Sequence, residues 1–417
     1  LKIVHAADLH VDSPLRGLER YPNAPVERIR GATRKALVNL VNLCIEEEAV
    51  ALLLAGDIFD GDWKDYSTGL FFVGQMTRLK EAGVRVFSVR GNHDHESKMG
   101  KKLSPPDNVT ELSTKKPVTV VDEALGIAVH GQGFAKRKVD EDLAADYPEA
   151  VDGLLNFGIL HTSLDGRPGH DSYAPTHVDV LTSKGYDYWA LGHVHAREIV
   201  REDPWIVFPG NTQGRHARET GEKGAMVISV EDGRIVDVAP RALDVVRWVQ
   251  LEVDASDHEH PGDAVEAARE LLVAEVEAAE PRLVAARVTI SGESAAHGAL
   301  LRDSERWEQE LRSMATDVGE SWVEKVRFKT TERIDLDELV AKDDALGALF
   351  TRLAKLADDP EALAAYAGVL DDLKAKLPRE ARVGDDKVDL DDPAYLAEAL
   401  ADATQLLLPR LFARSEE

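Results

Sequence analysis

Five short segments carry an apolar run directly into residues that bind metals: Asp8-Leu9-His10, Gly56-Asp57-Ile58-Phe59-Asp60, Gly91-Asn92-His93-Asp94, His161 and Gly192-His193-Val194-His195. The runs that precede them, at 3–7, 51–55, 84–89, 157–160 and 188–191, are mostly apolar, as in strands covered on both faces. Open α/β sheets bind ligands beyond the carboxyl ends of their strands. The pattern therefore predicts an α/β domain whose strand ends converge on one site. Gly56, Gly91 and Gly192 each stand immediately before the first ligand of their segment, which predicts tight turns beneath a cation. Carboxylates, an amide and imidazoles without a thiolate suit Mn²⁺, Fe or Zn²⁺ better than Ca²⁺ or Mg²⁺. A pair of such cations hydrolyses phosphate esters.

Helical spacing over 33–48 and 69–82 separates the first three strands, and further strands are expected at 117–121, 126–130, 205–208, 225–230 and 234–239. Asp232-Gly233 joins the last two as a hairpin turn. So many short strands predict two packed sheets flanked by helices rather than one open sheet. Residues 245–253, 263–279, 283–291, 298–314 and 322–328 then alternate strand and helix, enough for a small α+β domain. After Arg333 only helices are expected, at 346–357, 360–377 and 393–412. The domains expected are thus 1–243, 244–332 and 333–417.

The formal charge of −26 is unevenly placed. Residues 1–250 hold 30 Lys and Arg against 37 Asp and Glu, whereas residues 251–417 hold 20 against 39. No strongly basic groove is evident, and two dications would offset part of the acidity at the site. The one cysteine, Cys44, excludes an internal disulfide and shares a helical stripe with Leu37, Leu40, Val41 and Ile45, which predicts core packing. No run approaches the ~20 apolar residues of a membrane span. The chain enters its first strand without room for a signal peptide, so the expectation is a cytoplasmic protein.

The ordered set Asp8-x-His10, Gly56-Asp57-x-x-Asp60, Gly91-Asn92-His93-Asp94, Leu160-His161-Thr162 and Gly192-His193-Val194-His195 resembles the calcineurin-like metallophosphoesterases. The strings His5-Ala6-Ala7-Asp8-Leu9-His10-Val11-Asp12-Ser13-Pro14 and Pro209-Gly210-Asn211-Thr212-Gln213-Gly214-Arg215-His216 are similar to the SbcD/YhaO-type nuclease subunits of DNA repair. The likeness is strong over about the first 240 residues and rests on domain order beyond them. It implies a two-sheet core, a cap domain that guides DNA, and C-terminal helices that dock on an SMC-like coiled-coil ATPase. It also implies a homodimer.

By position, the resemblance implies one metal on Asp8, His10, Asp57 and His195, and a second on Asp57, Asn92, His161 and His193, with Asp57 shared. Two cations so placed, Mn²⁺ foremost, activate water and clamp the attacking and leaving oxygens. His93 would be the catalytic histidine, protonating the leaving oxygen or stabilising developing charge, with Asp94 orienting it. Asp60 stands where some relatives carry a second histidine, and a supporting role at His93 or a water is expected of it.

Arg90, Lys98, Lys101, Lys102, Arg215 and His216 flank the ligand loops and are the candidate DNA contacts, able to hold phosphates without reading sequence. Leu396, Leu400, Ala403, Leu407, Leu411 and Phe412 form one helical face, suited equally to a partner ATPase or to the chain itself. The reading is a DNA exonuclease, and an endonuclease, of a repair complex. Its rivals are a small-molecule phosphomonoesterase or cyclic-nucleotide phosphodiesterase, and a regulatory scaffold for the ATPase.

Overall fold

The computed structural model describes residues 1–13, 24–61, 66–94, 105–166, 173–332, 345–357, 359–378, 381 and 388–412. They form two compact units, one of Leu1–Leu251 with Leu271–Arg287 and Ala315–Lys325, the other of Glu252–Glu270, Val288–Met314 and Val326–Glu417.

In chain order the first unit begins with β1 (Lys2–Ala6), α1 (Val26–Glu46), β2 (Ala51–Ala55), α2 (Ser67–Glu81), β3 (Arg85–Val89) and β4 (Val109–Glu111). It continues with β5 (Val118–Asp122), β6 (Ile127–Gly131), β7 (Leu155–His161), α3 (Val178–Ser183), β8 (Tyr188–Gly192), β9 (Glu198–Glu202), β10 (Trp205–Phe208), β11 (Gly224–Glu231) and β12 (Arg234–Ala242). Two six-stranded sheets result, ordered β12-β11-β1-β2-β3-β4 and β5-β6-β7-β8-β10-β9. Both are mixed: β1 to β4 are parallel, as are β6, β7, β8 and β10, while β11, β12, β5 and β9 join antiparallel.

The period of two along each strand builds three layers of core. Ile3, Leu53, Phe87 and Val89 of the first sheet meet Ile127, Val129, Phe157, Ile159 and Tyr188 of the second between the sheets. Val4, Leu52, Leu54 and Val86 face outward onto Leu37, Leu40, Val41, Phe72 and Met76 of α1 and α2, with Cys44 buried among them as expected. Leu160, Trp189, Leu191 and Phe208 do the same on the other side, against Leu181, Tyr147 and Tyr186. A strand buried on both faces must be apolar throughout, which is why these runs read as continuous rather than alternating. The two-sheet α/β core and its flanking helices are those expected from the sequence.

β13 (Val246–Asp254), β14 (Leu283–Glu293) and β15 (Ser321–Thr331) form a separate three-stranded sheet in that order. A helix at Pro261–Ala279 occupies the first crossover. The single helix expected at 298–314 is two, His297–Arg302 and Ser304–Asp317, because Asp303 leaves helical geometry at φ −131°, ψ 44°. Asp and Ser bond to nearby backbone and favour such breaks.

The helix expected at 360–377 is likewise interrupted, by a 3₁₀ turn at Gly368–Leu370. Leu363, Leu390 and Leu396 bury one another in the second unit, with Leu400 packed on them. The first part of the expected helical stripe is therefore satisfied within the chain. Ala403 is exposed, and the side chains of Leu407, Leu411 and Phe412 lie outside the described residues. Among the described residues no helix is long and apolar enough to cross a membrane.

Candidate metal centre

Beyond β1 and β2 the chain does not diverge. The Asp8, His10 and Val11 N–H groups donate to the carbonyls of Gly56, Asp57 and Ile58 at 3.0–3.1 Å, zipping the two ligand loops together. Arg34 of α1 grips Asp12 through two bonds of 2.6 Å and so fixes the end of the first loop. Four of the candidate ligands hold left-handed backbone: Asp8 (φ 52°), His10 (44°), Asp57 (51°) and His193 (100°). That conformation is strained for residues with a Cβ and concentrates at functional sites.

The three glycines do not act alike. Gly56 turns the chain at φ 88°. It also lies against the His161 ring, which a Cβ would overlap; Gly192 and Gly91 serve close approach alone, since a Cβ on Gly192 would overlap the Ala55 carbonyl oxygen and one on Gly91 the Asp57 carboxylate.

Asp8, His10, Asp57, Asn92, His161, His193 and His195 are thereby brought together, all but His195 buried. Among the described residues three clusters could hold a cation: Asp8, His10 and His195; Asp8, Asp57 and His161; and His10, Asp60 and His93. Asp57 Oδ2 stands 3.5 Å from His161 Nε2 and 3.9 Å from His10 Nε2, between the two sides of the site. His10 Nε2 and His195 Nε2 face each other at 3.2 Å. His193 joins none of these clusters. Its ring packs edge-on against His161 and Tyr173, and its backbone N–H donates to the Asp8 carboxylate at 3.0 Å.

The donor set fits divalent cations. His161 Nδ1 lies 2.9 Å from the Ala55 carbonyl, which only accepts, so the proton is on Nδ1 and the Nε2 lone pair is presented to the site. That lone pair faces Asn92 Oδ1 at 2.9 Å, acceptor against acceptor, an arrangement a cation resolves. The buried carboxylates agree. Burial and then the charge of Asp57 push Asp8 well above the usual carboxylate range, and burial raises Asp57 to about 6. Burial, reinforced by Asp57, brings Asp94 to about 7. Burial and then Arg215 hold His10 well below the ordinary imidazole value. So much mutually repelling negative charge out of water calls for cations.

His93 stands at the rim, its Nδ1 2.7 Å from Asp60 Oδ1 and its backbone N–H donating to Asp57 Oδ1 at 2.9 Å. The carboxylate that orients His93 is Asp60 and not, as expected, Asp94. Asp94 instead accepts the N–H groups of Gly91 and Phe59, both at 2.9 Å, and pins the loop. Its position next to His93 in sequence misleads because consecutive side chains diverge, whereas Asp60 arrives from the facing loop. Burial alone would raise Asp60, but hydrogen bonds from His93 and from Ser13 Oγ at 2.6 Å prevail and hold it at about 2. The same bond raises His93.

Arg215 reaches the far side of this pair, Nη1 lying 3.5 Å from Asp60 Oδ2. His216 is largely exposed, its Nε2 3.6 Å from Glu219. Arg90 pairs with Glu111 at 2.7 Å. Lys98, Lys101 and Lys102 lie outside the described residues.

One residue escaped the sequence reading. Glu219 is buried with Oε1 2.6 Å from His195 Nδ1; burial alone would raise its pKa, but this bond together with the charges of His195 and Arg215 prevails and lowers it. Its only signal was its place just after the Gly214-Arg215-His216 string.

Comparison with known proteins agrees with this geometry. Residues 1–197 match the profile of the calcineurin-like phosphoesterases, and residues 248–331 match that of the middle domain of metallophosphoesterase YhaO. The uncharacterized metallophosphoesterase YhaO of Bacillus subtilis (strain 168) is 37 % identical over 261 residues, 62 % of this chain and 64 % of that protein. The DNA double-strand break repair protein Mre11 of Sulfurisphaera tokodaii is 27 % identical over 178 residues, 39 % of this chain and 43 % of that protein. The Mre11 of Methanopyrus kandleri is 23 % identical over 269 residues, 57 % and 56 % respectively. The chain thus spans less than two thirds of the length of each of these relatives. With its buried Asp and His clusters at the strand ends, the segment 1–197 is a calcineurin-like phosphoesterase domain, followed in the chain by a segment that matches the YhaO middle domain.

Proposed function

We propose that this chain is a two-metal phosphodiesterase that hydrolyses DNA, as exonuclease and endonuclease, in a repair complex with an SMC-like ATPase. The observation that carries the reading is the His93–Asp60 pair at the rim of a site whose two halves share Asp57. In this reading Asp8, His10, Asp57 and His195 hold one metal and Asp57, Asn92, His161 and His193 the other, Mn²⁺ being the ion best suited to that donor set. Bound metals would supply an activated water and charge stabilisation at phosphorus. The chain's own contribution is orientation. Asp60 fixes the His93 imidazole through Nδ1, leaving Nε2 to donate to the departing 3′-oxygen. Arg215, anchored by Asp60 and largely buried, would meet a phosphate oxygen, with His216 beside it.

DNA as substrate is supported by the likeness to proteins named for double-strand break repair. The segment 244–332 would guide DNA to the site, and the last helix beyond Leu400 would meet the ATPase. A homodimer is part of the same reading.

The test is His93→Ala. The variant is expected to retain both equivalents of Mn²⁺ and to lose about 10²–10⁴-fold in cleavage of single-stranded DNA. Parallel assays with a mononucleotide and a cyclic nucleotide separate a DNA enzyme from a small-molecule phosphoesterase. Cleavage of DNA by His93→Ala at the parental rate overturns the proposal.

A further inference from the structure

Between His195 and the first strand of the middle segment runs a loop, residues 211–223, that is anchored by hydrogen bonds at both ends. At one end Glu219, 8 % exposed, receives His195 Nδ1 on Oε1 at 2.6 Å, and Asn211 Nδ2 and the Arg215 N–H on Oε2 at 2.9 and 2.6 Å. Lys223 Nζ donates to the His195 carbonyl at 3.0 Å. At the other end Gln213 clamps two residues of the backbone. Its Oε1 accepts the Val245 and Val246 N–H groups at 2.8 and 3.2 Å, and its Nε2 donates to the Val246 carbonyl at 2.6 Å. Trp248 Nε1 donates to the Gly214 carbonyl at 3.0 Å, and Gln250 Nε2 to the Ala217 carbonyl at 2.9 Å. Gly214 is required here, because a Cβ would come within 2.7 Å of the Glu219 carbonyl oxygen and 3.0 Å of the Trp248 ring.

We propose that Glu219 is a positioning residue for His195, and that this loop ties the position of residues 245–250 to the geometry of the metal centre. The inference rests on the reading of His195 as a ligand. A carboxylate at Nδ1 keeps the imidazole proton there, so the lone pair on Nε2 faces the metal; such outer partners fix both tautomer and ring orientation. Glu219→Gln tests this without changing volume. If the amide oxygen keeps His195, its NH₂ is set against the donors of Asn211 and Arg215. If it turns, the NH₂ meets Nδ1 and drives the imidazole proton onto Nε2, where it blocks the metal.

The experiment is calorimetric titration of Mn²⁺ into chelator-treated full chain, with stoichiometry by elemental analysis. Glu219→Gln is expected to weaken one of the two sites about 10–100-fold and leave the other as in the parent. Glu219→Asp, which keeps the charge but falls short of His195, is expected to weaken the same site. Gln213→Ala, which removes the clamp but touches no ligand, is expected to weaken it by about two- to thirtyfold. His195→Ala is the reference. If it loses one site while both Glu219 variants bind as the parent does, the positioning role is overturned and the ligand assignment stands. If His195→Ala itself binds two equivalents normally, the assignment falls and the inference with it. If only Gln213→Ala is silent, the tie to residues 245–250 is refuted.

Discussion

Asp60→Asn isolates the charge behind His93 while preserving the shape of the site. Asp60 Oδ1 accepts from His93 Nδ1 at 2.7 Å and Oδ2 accepts from Ser13 Oγ at 2.6 Å, with Arg215 Nη1 at 3.5 Å. An asparagine keeps one acceptor and one short bond, but the bond to an imidazolium is then neutral on the acceptor side. The variant replaces an ion pair by an ion–dipole bond, and loss of the charge on one partner of a hydrogen bond weakens it by about 1–2 kcal/mol. Felt when His93 is protonated to donate, that is about a 5- to 30-fold fall in the single-turnover rate. The assay is cleavage of a fluorescent single-stranded oligonucleotide under saturating Mn²⁺, with metal content measured on the same sample. Asp60 also belongs to one of the three clusters able to hold a cation, and the same variant decides that question. Two retained equivalents with a slowed rate support the hydrogen-bonding role. A parental rate, or the loss of one equivalent of metal, refutes the reasoning.

Three further outcomes follow from the packing beneath the site. In Gly192→Ala the new Cβ meets the Ala55 carbonyl and His161, forcing the ends of β2 and β8 apart; urea unfolding of the metal-free chain should show a loss of about 1–3 kcal/mol, and Mn²⁺ stoichiometry should fall. Tyr188→Phe removes the hydroxyl 3.0 Å from His5 Nδ1. His5 Nε2 donates to the Leu191 carbonyl, so Nδ1 is left a buried acceptor without a donor, at about 1–3 kcal/mol in urea unfolding. Mn²⁺ at a hundred times its dissociation constant should stabilise the parent by about 2.7 kcal/mol over its chelated form, and Asp57→Ala should abolish most of that difference.

The convergence of the candidate ligand loops was legible because each polar residue interrupts an apolar strand at its end, and the strand ends of a parallel sheet gather on one edge. The two-sheet architecture followed from the number of short strands before residue 240. What stayed hidden was pairing across the site. Asp94 is next to His93 in sequence yet holds backbone at Gly91 and Phe59, whereas Asp60, thirty-three positions away, meets the ring. Glu219 lay on a loop without strand or helix periodicity, and only the fold brings it to His195. Breaks at Asp303 and Gly368 were overridden in the reading by apolar spacing that continues across them. Part of the apolar face at the C-terminus proved to be ordinary interior, with Leu396 buried against Leu363 and Leu390.

The left-handed backbone at Asp8, His10, Asp57 and His193 carries a further consequence. Sheets on both flanks hold these residues in a conformation that glycine would adopt with less resistance, while the carboxylates of Asp8, Asp57 and Asp94 repel one another out of water. Working machinery of this kind is thermodynamically reluctant. An inert Asp57→Asn chain should therefore outlast the chelated parent on heating, so that robustness under selection for folding alone would erode the enzyme, and calorimetry of the two metal-free proteins would reveal it.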